Sequence, residues 1–492
     1  MDVPVLLEMV ADAAPDRIAV GPADGGLTYA GLLSRARALA GGLTALGVDH
    51  VALVDVNSET VPQLFYGAAL AGLPFVPLNY RLDDEALAQA LARIAPVVAV
   101  VGEEQRARCT GIDGVTVLTA AELPTGTPPA DHPQEVSALL FTSGTSGEPK
   151  AAVLRPAHLT SYVLSTVDFL SATPDEALLV SVPPYHIAGI SSLLTPVFAG
   201  RRVLQLPSFD PTAWVNLARR EAATHAMVVP TMLGRILDVL DAEGTTLPAL
   251  RHLSYGGGRM PLPIVERAAR LLPHVDLVNA YGLTETSSTI AVLGPQDHRD
   301  ALASTDPEVR ARLGSVGRPL PGVELEIRDE DGTVLPPGGS GEIHVRGEQV
   351  SGEYLSHSAL DGDGWFPTRD RGRLDTEGFL YLEGRADDVI VRGGENLSPG
   401  EIEDVLLAHP AVTEAIVFGA PDTEWGEVPV AAVVLRETVE EADLQAFVRE
   451  RLRSAKTPAR VLVRDALPHT DTGKPLRRVL RAELVDTIPR SS

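Results

Sequence analysis

Short runs of Val, Leu and Ile recur along this chain, separated by segments whose apolar residues repeat at helical spacing. YAGLLSRARALAGGLTAL followed by VALVDV is the first case, a helix pattern running into a strand pattern. VVAVV, EALLVSV, HAMVVP and VDLVNAYG read as further buried strands, each near a helix-like segment. Such alternation predicts an α/β fold, with parallel or mixed sheets covered by helices. The texture changes at about Gly314: LGSVGRPLPGVELEIRDEDGTVLPPGGSGEIHVRG has period-2 strands and the turn signals Pro-Gly, Asp-Gly and Gly-Gly, so residues 314–386 read as a β-rich subdomain. A second change falls at LEGRADDVIVRGGENLSPGEIEDVL, after which about 100 residues remain, enough for a small domain. The expected division is therefore 1–386 and 387–492.

Within that last stretch SPGEIEDVLLAHP carries a helix start, with Ser398 as N-cap, Pro399 at the first helical position and Glu401 in the reciprocal capping position. AVTEAIVFGAPD and VPVAAVVL read as strands and EADLQAFVRERLRSA as an amphipathic helix, giving an α+β unit. The 492 residues are 45% hydrophobic, ample for sizeable cores. Apolar runs stop short of a membrane span, and MDVPVLLEMVADAAPD lacks a basic leader, so a cytoplasmic protein is expected. Cys109 stands alone, which excludes a disulfide framework or a cysteine metal site. A net charge of −25 opposes non-specific binding to nucleic acid or anionic membrane. An anionic ligand therefore needs a local cation or amide-rich site.

Thr142 to Lys150, TSGTSGEPK, supplies one candidate. A polyphosphate needs several backbone N–H donors converging, with little side-chain bulk, plus hydroxyls and a cation. Gly144 and Gly147 let the backbone approach, Thr142, Ser143, Thr145 and Ser146 bring hydroxyls, and Lys150 brings charge. Taken alone, the stretch is also compatible with a Ser- and Gly-rich surface turn. It lacks the Gly-Lys-Ser/Thr of a P-loop.

The stretch closely resembles the phosphate loop of the adenylate-forming enzymes, the superfamily of acyl- and aryl-CoA ligases, peptide-synthetase adenylation domains and luciferases. PPYHIAGI, NAYGLTET, GSVGRPLPG, GEIHVRG, GWFPTRDRGRLDTEGFLYLEGRADDVI, GGENLSPGEIE, EWGEVPVAAVV and LPHTDTGKPLRR follow in the family's order, so the resemblance spans essentially the whole chain. It implies activation of a carboxylate by ATP to an acyl-adenylate with release of pyrophosphate, then transfer of the acyl group to a thiol.

The resemblance also assigns roles. Glu285, with Thr142, matches the magnesium-binding positions, and hard carboxylate oxygen suits Mg²⁺. Thr284 matches an α-phosphate contact, and Ala280, Tyr281 and Gly282 a wall beside the nucleotide. Ser254 to Met260, with Gly256, Gly257 and Gly258, is similar to the adenine platform. Asp370 and Arg385 match the ribose contacts, although Arg369 in TRD stands where the family usually has glycine. Lys474 matches the lysine that bridges carboxylate and α-phosphate, neutralising charge as two anions meet. That lysine is expected to swing away about a hinge at Asp387, so that a mobile C-terminal domain serves both half-reactions. Arg392, Gly393 and Gly394 would then line the pantetheine channel, and His186 would gate it by position. His186, Ile187, Ala188, Gly256, Ala280, Gly282 and Ser287 are the expected acid pocket, with room for an aryl or medium-chain acid.

Expected ligands are therefore ATP, Mg²⁺, a small carboxylic acid and coenzyme A, in a monomer or homodimer. Transfer to a carrier-protein phosphopantetheine, adenylation of a non-carboxylate oxyanion, and an inactive nucleotide-binding protein are the alternatives.

Overall fold

The computed structural model describes residues 1–129, 133–142, 150–385, 388–470 and 475–487. The α/β expectation holds. Val115–Leu118, Val97–Val101, His50–Val54, Phe75–Pro77, Ala138–Thr142 and Lys150–Leu154 lie in that order in one sheet, parallel except for the last pair. A nine-stranded sheet has a parallel centre that includes Ala177–Val180, His225–Val228, His252–Gly256 and Asp276–Leu283. The run VVAVV does not alternate because both its faces are covered. Val98 and Val100 pack with the helices Tyr29–Leu46 and Thr60–Leu70, while Val97, Ala99 and Val101 pack with Asp84–Ala92. Each such valine, fully withdrawn from water, contributes roughly 1.5–3 kcal/mol.

Local signals set the helix ends. Thr28 accepts a hydrogen bond from the Gly31 N–H at 3.0 Å to start Tyr29–Leu46, and Gly47 stops it with φ +65°.

The strands Glu324–Arg328, Gly341–Arg346, Phe366–Leu374 and Leu380–Arg385 form an antiparallel four-stranded sheet. Ile390–Arg392, Glu395–Leu397, Val412–Asp422, Gly426–Leu435 and Arg460–Val463 form a separate five-stranded sheet. The helices Pro399–Leu407 and Glu441–Arg449 share its apolar core.

Pro399 opens its helix as expected, but the capping box does not form. The Ser398 hydroxyl donates to the Glu383 carbonyl at 2.6 Å instead of accepting from the helix, and Glu401 pairs with Lys456. A partner distant in sequence has outcompeted the local cap. Arg259 and Asp404 form a second link between the N-terminal sheets and this helix. Among the described residues no helix is long and apolar enough to cross a membrane.

Candidate active site

Parallel strands bring their carboxyl ends to one edge, where side chains from separate segments meet. His252–Gly256 pairs with Asp276–Leu283 so that Gly256 faces Ala280. A Cβ on Gly256 would stand 2.2 Å from the Ala280 carbonyl oxygen, so the two backbones meet only because the position is bare. Gly257 has φ +76°, and Gly258 packs beside Pro230. One strand on, the ladder shifts between Tyr281 and Gly282, and a Cβ on Gly282 would lie 1.7 Å from the Ser288 carbonyl oxygen. The glycines and Ala280 of the expected nucleotide platform thus form one contiguous shelf.

Asp370 is reached from two sides. The Tyr281 hydroxyl donates to Asp370 Oδ2 at 2.7 Å, and Arg385 Nε donates to Oδ1 at 3.1 Å across the strand pair that sets Asp370 opposite Arg385. Burial first, and the Asp370 carboxylate second, push the Tyr281 phenol well above its usual pKa, so it remains a donor. Arg385 also lies in the electrostatic field of Glu285, which places the ribose and metal candidates in one cluster.

Arg369, beside Asp370, has φ +64°, and its N–H donates to Glu342 Oε1 at 3.1 Å. A side chain thus occupies a left-handed position that favours glycine.

Thr284, Glu285 and Thr286 make a single tight turn after the strand. Glu285 is only 8% exposed. Its Oε1 accepts a 2.6 Å hydrogen bond from the Tyr354 hydroxyl, and its main-chain carbonyl accepts from the N–H groups of Ser351 and Gly352. Oε2 receives no hydrogen bond from the described residues, which leaves a hard anionic oxygen available to a cation. No cluster of three or more His, Cys, Asp or Glu side chains that could hold a metal occurs among the described residues. A lone carboxylate of this kind fits Mg²⁺, which takes one or two protein carboxylates and completes its shell with phosphate oxygens and water.

Thr142 ends one strand and Lys150 begins the next; they are register partners, and Thr142 Oγ1 donates to the Lys150 carbonyl at 3.3 Å. Ser143, Gly144, Thr145, Ser146 and Gly147 lie outside the described residues, as do Asp387 and Lys474. The Lys150 ammonium stands over the Tyr354 ring, 5.5 Å from its centre, so the loop's exit lies next to Glu285.

His186 precedes the helix Ile187–Phe198, and Ile187 and Ala188 occupy its first turn. The His186 ring packs on Tyr185 at 4.6 Å, and Tyr185 on Tyr80 at 5.7 Å. Ser287 is fully buried with φ +56°, and its hydroxyl has no hydrogen-bond partner among the described residues.

Arg392, Gly393 and Gly394 do not join this cluster through described contacts. Gly393 and Gly394, with φ +57° and +84°, form the tight turn of a hairpin, while Arg392 packs on Trp425 and donates to the Ala455 carbonyl at 2.9 Å.

Tyr354 is the site residue that sequence reading missed. SGEYL has no glycine pattern, charge pair or periodicity to single it out, and its importance arises from contacts with residues 69 positions away. A cavity of about 150 Å³ was also not anticipated; Tyr80, Arg81, Pro183, Met232 and Arg235 are among the residues that line it.

The chain belongs to the AMP-binding enzyme family: the family model covers residues 7–355, and the model of the AMP-binding enzyme C-terminal domain covers 401–474. Among its relatives, the 2-succinylbenzoate–CoA ligase of Bacillus licheniformis is 35% identical over 98% of this chain and 100% of its own length. The o-succinylbenzoate CoA synthetase (MenE) of Bacillus subtilis, solved with its acyl-adenylate intermediate OSB-AMP, superposes with a TM-score of 0.86 at 31% identity, covering 98% of both chains. The same synthetase solved with ATP and magnesium ion gives a TM-score of 0.84 at 31% identity over 96% of this chain and 98% of that one.

Proposed function

We propose that the chain is an AMP-forming carboxylate–CoA ligase, with 2-succinylbenzoate or a related aryl acid as its first candidate substrate. One observation carries the reading: Glu285, Lys150, Asp370, Arg385 and the Gly256–Gly282 shelf form one cluster, linked by Tyr354 and Tyr281. A nucleotide laid across it has its base on the bare shelf, its ribose hydroxyls at Asp370 and its phosphates between Lys150 and Glu285. The full-length match to 2-succinylbenzoate–CoA ligases supports the choice of acid.

In the first half-reaction a carboxylate oxygen of the acid bonds to the α-phosphorus of ATP, and the bond to the β-phosphate oxygen breaks to release pyrophosphate. Two anions must approach, so charge neutralisation is the protein's main task. Bound Mg²⁺ supplies a Lewis acid at the phosphate oxygens. Lys150 holds the phosphate end, Asp370 fixes the ribose, and Lys474 meets the carboxylate and α-phosphate. In the second half-reaction the thiol sulfur of coenzyme A bonds to the acyl carbon, AMP leaves with the electron pair of the broken C–O bond, and the thiol proton passes to solvent. Ser287 offers the acid a buried donor, in keeping with an acid that carries a further polar acceptor. Arg81 and Arg235 at the cavity beside Tyr80 suit the phosphates of a coenzyme entering from that side.

The domain division at 386/387, with Asp387 as hinge, belongs to this proposal. The gap between the two family matches, 355 to 401, accommodates it. Pyrophosphate release measured over a panel of acids, with and without coenzyme A, tests the function. The expected result is release dependent on 2-succinylbenzoate or another aryl acid and a thioester product only with coenzyme A. Absence of acid-dependent release across the panel would overturn the reading, and turnover with a holo-carrier protein but not free coenzyme A would change the acceptor.

A further inference from the structure

The two phosphate-facing ends of the site, Lys150 and Glu285, belong to different sheets' connections and have no covalent reason to stay in register. A short segment holds them together. Ser351 and Gly352 donate their N–H groups to the Glu285 carbonyl at 2.8 and 3.1 Å, and the Ser351 hydroxyl donates to the Val153 carbonyl at 2.5 Å. Leu355 N–H donates to the Ala151 carbonyl at 3.0 Å, Val153 N–H donates to the Glu353 carbonyl at 2.9 Å, and Tyr354 forms a bridge with Ala152. Arg155 and Glu353 add a bidentate pair at 2.8 and 2.7 Å.

Residues 351–355 thus lie as an extra edge on the strand leaving the phosphate loop while gripping the turn that carries Glu285. Tyr354 is the member whose side chain reaches both functional groups. Its ring is stacked on His357 at 5.1 Å and lies beneath the Lys150 ammonium, and its hydroxyl ends on Glu285 Oε1.

We propose that Tyr354 is a positioning residue that registers the metal-binding carboxylate of Glu285 to the phosphate-binding ammonium of Lys150. The inference rests on the function proposed above. The hydroxyl fixes which way the carboxylate faces by occupying Oε1 and leaving Oε2 to the cation. The ring sets where the lysine sits, because an ammonium is drawn to the face of a phenol. One side chain therefore links two ligand contacts through two separable parts, the hydroxyl and the ring.

That separability supplies the test, read by calorimetric titration of ATP into full-length protein, with Mg²⁺ and with chelator. Tyr354→Phe keeps the ring and removes the hydroxyl. It should weaken MgATP binding by about 10-fold, the size of a 1.4 kcal/mol change, and leave metal-free ATP binding unchanged. Tyr354→Leu removes both parts and should in addition weaken metal-free ATP by about 2- to 5-fold. In a Glu285→Gln background, Tyr354→Phe should have no further effect on the response to Mg²⁺.

Equal MgATP affinity of Tyr354→Phe and wild type would overturn the inference. So would equal weakening with and without metal, since a merely structural residue would act on both. Should Tyr354→Leu fail to fold, the Tyr354→Phe titrations decide the matter alone. If the wild type itself shows no magnesium-dependent ATP binding, the fault lies with the functional reading instead.

Discussion

Replacing Asp370 with alanine separates the structural from the ligand-binding role of the ribose candidate. The Tyr281 hydroxyl is buried and spends its proton on Asp370 at 2.7 Å. Removing the acceptor strands that donor, at roughly 1–3 kcal/mol. The Arg385 side chain is 44% exposed, so water replaces much of its ion pair and the further loss is at most ~1 kcal/mol. Asp370→Ala should therefore destabilise by about 2–3 kcal/mol, measured as a shift in urea unfolding. Asp370→Asn keeps one carbonyl acceptor and should lose about half of that.

The functional readout is discrimination between ATP and 2′-deoxy-ATP in acid-dependent pyrophosphate exchange. A hydrogen bond from a ribose hydroxyl to a carboxylate is worth roughly 1.5–3 kcal/mol, so the wild type should prefer ATP in kcat/KM by about 10-fold or more. Asp370→Asn should reduce that preference to within a few-fold while leaving the KM for the acid unchanged. A Tyr281→Phe, Asp370→Asn cycle should give a coupling of about 1 kcal/mol in stability. An unchanged ATP to 2′-deoxy-ATP ratio in Asp370→Asn would refute the ribose assignment. Unchanged urea stability in Asp370→Ala would refute the account of Tyr281.

Lys474→Ala should abolish adenylate formation while thioester formation from supplied acyl-adenylate continues; equal loss of both half-reactions, measured separately, would exclude the proposed role. Arg369→Gly should raise stability by about 0.5–1 kcal/mol in urea titration, because relief of the strain at φ +64° outweighs the extra freedom of glycine in the unfolded chain. A destabilised variant would mean that the arginine side chain itself holds something in place. Arg477 donates to Glu403 at 2.6 Å and to the Val417 carbonyl at 2.8 Å, with both charged side chains largely buried. Arg477→Ala should cost about 3 kcal/mol by leaving Glu403 buried without its cation. Its loss should appear as early proteolysis of the C-terminal unit, and wild-type resistance would count against that.

Periodicity and turn chemistry by themselves determined the architecture. VVAVV became a strand buried on both faces, while HAMVVP and VDLVNAYG became strands that bury alternate residues in a sheet packed against helices. The order of motifs likewise determined the family, and TSGTSGEPK, YGLTET and TRD named Lys150, Glu285 and Asp370 without any structure. A local rule failed where a distant partner competed: Ser398 left its helix for Glu383.

Only the tertiary structure decided how the named residues meet. Tyr281 on Asp370, Arg385 opposite it, and Tyr354 between Lys150 and Glu285 are contacts between segments that share no periodicity. A sequence records which side chains want burial and where the chain can turn, because those preferences are local. Which hydroxyl satisfies which carboxylate depends on sheet register and on competition among every donor within reach, and that is settled only when the strands have paired.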